Sequence, residues 1–120
     1  MKQKILLIIL FIFIGGLVKS QSCNELPNKF SSYYEAINAI QNASFKYTDK
    51  LPQGKSSWII GATYYSCDEV TGYLVYTTDR SYRYIHENVP IRVWIEFKNA
   101  ISSGSYYNLR IKGRYKLIPE

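Results

Sequence analysis

Near the C-terminus four cations, Arg110, Lys112, Arg114 and Lys116, take every second position, and Leu109, Ile111, Gly113, Tyr115 and Leu117 fill the places between them. Side chains of a strand alternate between its two faces. As a strand, the segment has one apolar face and one face of four like charges spaced roughly 6.8 Å apart, a ladder suited to an extended polyanion. Arg80 and Arg83 lie in a hairpin-like region that could extend the ladder, and Tyr106, with Tyr107 as the alternative, offers a ring for base stacking. These seven residues form the candidate ligand site. A structural reading competes with it: lysine and arginine on an exposed strand guard against edge-to-edge association, and alternating tyrosines usually pack in a core.

Catalytic chemistry finds little support. His86 is the only histidine, which excludes a histidine-rich metal site, and the two cysteines lack metal-ligand spacing. A nucleophilic pair of Cys67 and His86 requires a free thiol. His86 reads most simply as a surface or hydrogen-bonded residue at a strand end. Asp68 and Glu69 are adjacent, so on a strand they point to opposite faces and make a poor acid–base pair. There is no glycine-rich phosphate loop, and no cofactor is expected. The chain reads as a non-enzymatic binding module.

The scaffold for these residues can be read along the chain. Ser32, with Glu35 three residues later, fits a capping box ahead of a helix whose stripe is Tyr33, Ile37 and Ile40. Phe45 to Ser57, with Pro52 and Gly54, reads as loop. The run WIIGATYY is strand-like, with Gly61 suggesting a bulge or a close backbone contact. YLVYT and SYRYI, joined through Thr78, Asp79 and Arg80, read as a hairpin in which Tyr82 and Tyr84 pack under a helix. Pro90 stands at the first position of that helix, with Val93, Trp94, Phe97, Ala100 and Ile101 on its apolar face, an Arg92–Glu96 surface ion pair, and Gly104 as its C-cap.

Residues 1–20 have the form of a signal peptide: two lysines by position 4, an apolar run from Ile5 to Ile14, then Val18 and Ser20 before a cut at Gln21. The expected localisation is secreted or periplasmic, with no stable membrane span after cleavage. A lipidated Cys23 is the alternative, although Ser20, Gln21 and Ser22 before it fit a lipidation signal poorly. Removing Lys2, Lys4 and Lys19 leaves 12 of the 15 basic residues against 9 acidic ones, a net charge of +3 rather than +6. Much of the remaining excess lies between Phe97 and Pro119, where there are five cations and no acid. The even cysteine pair, Cys23 and Cys67, is expected to form a disulfide in an oxidising compartment.

From Trp58 to Leu117 the sequence resembles the KTSC domain, a small module named after the C-terminal extension of some lysyl-tRNA synthetases. The residues that carry this are the YxY of Tyr82, Arg83 and Tyr84, the VP of Val89 and Pro90, and the AxSxGxYYN series at Ala100, Ser102, Gly104, Tyr106, Tyr107 and Asn108. Ile111 and the GRY of Gly113 to Tyr115 complete it. The resemblance implies an α+β fold, a sheet of three to four antiparallel strands packed by a helix, of unestablished function, for which RNA binding has been suggested. The sequence departs from the pattern in its hairpin loop and in two extra residues between YxY and VP. The implied organisation is a signal peptide (1–20), an N-terminal helical extension (21–57) and a KTSC-like domain (58–120). The expected partner is an anionic polymer (RNA, single-stranded DNA or an envelope polysaccharide), with an envelope protein as the alternative.

Overall fold

A computed structural model describes residues 21–119; the expected signal peptide lies outside them. The order of elements is β1 (Gln21–Ser22), a 3-10 turn (Cys23–Glu25), α1 (Tyr33–Asn42), β2 (Ala43–Ser44), β3 (Tyr47–Lys50), β4 (Ile59–Ser66), β5 (Thr71–Thr78), β6 (Arg83–Pro90), α2 (Ile91–Asn99), α3 (Ser103–Tyr106) and a π-helical turn (Tyr107–Ile111). The fold is α+β. Strands β3-β4-β5-β6 form an antiparallel sheet in sequence order, and β1 and β2 pair in parallel beside it.

Alternation along the strands gives this sheet two buried faces. Tyr64, Leu74 and Tyr76 point to one face, where Trp94 and Phe97 of α2 and Tyr107 and Ile111 beyond α3 cover them. Val75 and Ile85 point to the other, under Ala36, Ile37 and Ile40 of α1 and Ile118. The parity of β6 changes once along its length. Asn88, at φ 55°, lies where the register shifts between Gly72 and Leu74, and beyond it Val89 joins the α2 face. The Tyr64 hydroxyl donates to the Val89 carbonyl at 2.7 Å, and its ring stacks on Trp94.

Helix α1 is capped by Ser32, whose hydroxyl accepts from the Glu35 amide at 3.1 Å. The Glu35 carboxylate reaches back to Ser31 rather than to Ser32, so the capping box is displaced by one residue. The WIIGATYY strand and the hairpin form as β4, β5 and β6, and the register between β4 and β5 shifts at Ile59/Gly61, so Gly61 marks a bulge. The disulfide Cys23–Cys67 forms, with Cα atoms 5.8 Å apart, and ties the N-terminal turn to the end of β4. Among the described residues no helix is long and apolar enough to cross a membrane.

Several sequence expectations are corrected. The segment read as loop contains β3, a short polar strand that pairs with β4 from Tyr47↔Ser66 to Lys50↔Thr63. Its four residues, YTDK, carry too little apolar signal to read as a strand, a common property of edge strands. Pro90 is the N-cap of α2 rather than its first residue. The helix ends at Asn99, leaving Ala100 as its C-cap and Ile101 wholly exposed. Gly104 is not a C-cap but a buried residue of α3, so tightly placed that an added Cβ would lie 2.4 Å from Trp58 Nε1. Glu96, expected to pair with Arg92, accepts the Tyr106 hydroxyl at 2.7 Å.

The largest correction concerns residues 109–117, which do not form a strand. Ser103, Tyr107 and Ile111 are spaced four apart and all are buried, so helical spacing governs this segment as far as Ile111. The Lys112 amide closes the π-helical turn on the Tyr107 carbonyl at 2.9 Å. Gly113, at φ 76°, then turns the chain, a conformation that glycine adopts without strain. Beyond this turn a short arm runs along β6: the Glu87 amide donates to the Lys116 carbonyl, Leu117 bridges His86, and the Ile118 amide donates to the Ile85 carbonyl. Alternate residues here do not form two faces, because only this last piece is extended.

A candidate anion-binding cleft

The arm, the π-helical turn and the exposed end of the β5-β6 hairpin enclose an open cleft of about 840 Å³. Its wall and floor are aromatic, from Trp58, Tyr76, Tyr84, Tyr107 and Tyr115, and Lys112, Arg114 and Lys116 also line it. None of the described residues that line it is acidic. The rings hold one another in place: Tyr107 lies 4.7 Å from Tyr76 and 5.6 Å from Trp58, and Tyr84 lies 5.3 Å from Tyr76, centroid to centroid. Tilted and edge-on contacts of this kind fix a preformed aromatic surface.

Within that surface runs a hydrogen-bonded chain through Tyr76, Tyr107 and His86, all three among the cleft-lining residues. His86, 1% exposed, places Nδ1 2.9 Å from the Tyr115 carbonyl and Nε2 2.8 Å from the Tyr107 hydroxyl. The Tyr76 hydroxyl donates to that of Tyr107 at 2.7 Å. A carbonyl only accepts, so in the neutral ring Nδ1 carries the hydrogen and Nε2 accepts the one hydrogen of Tyr107. Polarity therefore runs one way, from Tyr76 through Tyr107 and His86 to the Tyr115 carbonyl. Burial holds the imidazole below its ordinary pKa, partly opposed by the Tyr115 carbonyl. Burial, followed by the bond to Tyr107, pushes the Tyr76 hydroxyl far above the usual tyrosine range.

Three of the seven candidate residues, Lys112, Arg114 and Lys116, line the cleft, brought there by the Gly113 turn and the arm rather than by a strand. The other four are elsewhere. Arg110 is exposed on the π-helical turn, outside the cleft lining. Tyr106 packs on Phe97 and is bonded to Glu96, so it is not a stacking platform. Arg83 is on the opposite face of β6 from Tyr84 and His86, toward Tyr33 and Tyr65, and Arg80 is in the hairpin turn. Tyr82, expected under the helix, is 60% exposed, whereas Tyr84 is at the cleft.

Apart from Tyr107, the aromatic wall is not evident in the sequence, and of the two readings of His86, surface or hydrogen-bonded, the second holds, in a buried residue. One signal was present: Tyr82, Tyr84 and His86 alternate, which places the histidine on the same strand face as an aromatic residue. The polar neighbours Glu87 and Asn88 obscured it. Cys67 is bonded to Cys23 and offers no thiol to His86. Among the described residues no cluster of His, Cys, Asp or Glu side chains could hold a metal ion.

A family model for the KTSC domain matches residues 56–115, half of the chain, and the protein belongs to that family. The matched segment contains β4 to β6, both following helices and the π-helical turn, and so nearly all of the cleft. No curated protein and no solved structure matches the chain.

Proposed function

We propose that this protein is an exported, non-catalytic binding module that holds an anionic polymer with planar rings, single-stranded nucleic acid fitting best, in the cleft between the arm and the β5-β6 hairpin. The observation that carries this is the combination of a fixed aromatic wall with Lys112, Arg114 and Lys116 and, among the described residues, no acidic side chain in the lining. Rings stack on bases whatever the sequence, and cations at the same opening meet phosphates. The Cys23–Cys67 disulfide suits an oxidising compartment outside the cytoplasm, in keeping with the leader-like residues 1–20.

Fluorescence anisotropy of residues 21–120 with labelled RNA, single-stranded DNA and an acidic polysaccharide tests the proposal. Binding to the nucleic acids should weaken with salt, and Lys112→Gln with Arg114→Gln should reduce the logarithmic salt slope by about 0.7 per cation removed. Arg83→Gln, on the other face, should change little. Equal losses from Arg83→Gln, or tighter binding to the polysaccharide, would overturn it.

A second reading, an envelope protein-interaction module without a polyanion ligand, draws on the bare side chains of Ile101 and Leu109, 102% and 70% exposed. Capture of one protein partner that is lost on Ile101→Ser and retained on Lys112→Gln would favour it.

A further inference from the structure

The His86 chain explains more than the packing of a buried histidine. Its far end, Tyr76, belongs to the cleft wall, and its near end is anchored on the arm that carries Lys116. We propose that the cleft couples anion binding to the uptake of one proton by His86, with the Tyr76–Tyr107 pair both relaying the proton and presenting the resulting hydrogen-bond donor to the ligand. This regulates the site proposed above and rests on that reading.

The donor count sets the chemistry. In the neutral state Tyr76, a buried residue of the cleft lining, spends its only hydrogen on Tyr107 and has none left to offer an anion. Protonated His86 must donate from both nitrogens, and the Tyr115 carbonyl continues to accept from Nδ1. At Nε2 the Tyr107 oxygen changes from donor to acceptor. The hydrogen of Tyr107 then turns to the Tyr76 oxygen, and the hydrogen of Tyr76 is released toward the cleft. Protonation thus reverses both hydroxyl bonds of the chain and gives an anion a new donor and a nearby positive charge.

The same chain supplies a route for the proton. His86 is sealed from solvent, but a proton reaching the Tyr76 oxygen from the cleft displaces that group's hydrogen to Tyr107, which passes its own to Nε2. One proton enters, one nitrogen gains it, and both tyrosines end neutral.

The groups around His86 leave room for such control. Tyr76 faces it from β5, Tyr107 from the π-helical turn, Tyr84 shares its strand face, and Tyr115 is opposite on the arm with Lys112, Arg114 and Lys116 around the opening. No carboxylate is among these described residues, and an imidazolium at this position draws an anion toward the cleft. An anion in the cleft supplies a counter-charge.

His86 is the only histidine, so in an untagged protein its ring proton gives one unambiguous NMR titration. The experiment follows that signal between about pH 8 and about pH 5 with and without saturating oligo-uridylate, beside anisotropy of the same probe. The ring should titrate about one unit higher with the probe bound, and the affinity should rise about tenfold across the transition. Tyr76→Phe, which keeps the ring and the His86–Tyr107 bond, should lose at least half of that shift. Binding with no change in the titration overturns the coupling while leaving the cleft reading intact. An undiminished shift in Tyr76→Phe overturns the relay, and no binding at any pH overturns the cleft reading.

Discussion

The Asp49 carboxylate on edge strand β3 accepts the Trp94 indole N–H at 2.9 Å, linking a strand outside the family-matched segment to the helix at its centre. The same carboxylate pairs with Lys98 at 2.8 Å and accepts from the Tyr47 hydroxyl at 3.2 Å. Three donors converge on it, one of them on a fully buried tryptophan. Asp49→Ala should cost about 1–3 kcal/mol, chiefly from the stranded indole N–H, seen as a lower urea midpoint at unchanged slope. Burial raises the Asp49 pKa, but the bonds from Lys98 and Trp94 outweigh it and hold the carboxyl below its ordinary value. This contribution to stability is therefore present above about pH 3.9 and is lost as the pH falls through the folded value. A variant as stable as the parent would show that β3 is dispensable.

The Cys23–Cys67 bridge closes a loop with a sequence separation of 44, for which the chain-entropy model gives about 4 kcal/mol. Cys23→Ser with Cys67→Ser should lose stability of that order in urea titrations, and reducing the parent protein should have the same effect. The loop it closes contains α1, so the loss should be accompanied by faster amide exchange in α1 than in β5. Uniform exchange would mean that α1 is held by Ile37 and Ile40 alone.

Gly104 sits where the turn after α2 meets the β4 side of the sheet. An added methyl would lie 2.4 Å from Trp58 Nε1 and 2.7 Å from Ser56 Oγ, so Gly104→Ala must displace the Trp58 ring or α3 itself. A destabilisation of about 1–3 kcal/mol is expected. Trp58 also lines the cleft, so binding should weaken in the same variant, whereas Gly61→Ala, in open space, should change neither.

How much the sequence disclosed depended on whether local signals agreed. Val93, Trp94 and Phe97 sit at helical spacing behind a proline, and both hairpin strands are rich in β-branched and aromatic residues, so pattern and fold coincide there. In residues 109–117 two periods compete. Leu109, Ile111, Tyr115 and Leu117 suggest alternation, but Ile111 is also four residues from Tyr107 and eight from Ser103, and burial against Trp94 and Phe97 decided for the helix. The three cleft cations were therefore found for a wrong geometric reason. The cleft wall was not legible, because Tyr76 and Tyr107 are core tyrosines, and only the tertiary fold brings Trp58, Tyr84 and Tyr115 beside them at an opening.

Removing the middle of the His86 chain tests its weight in the fold. Tyr107→Phe deprives both the buried Nε2 and the Tyr76 hydroxyl of their partner while keeping the ring that packs on Trp58 and Tyr76. The expected cost is about 1–3 kcal/mol near neutral pH. Burial lowers the folded-state pKa of His86, so the folded state prefers the neutral ring. Stability from this source is complete above the unfolded value of about 6.5 and declines as the pH falls from there toward the folded value. Without an anion, the parent protein should thus melt at lower temperature at about pH 5 than at about pH 7, and saturating polyphosphate should narrow that difference. His86→Gln, with no group that titrates in this range, should flatten the pH dependence. A parent protein whose melting temperature is level between those two pH values would mean that His86 is protonated or solvated at little cost.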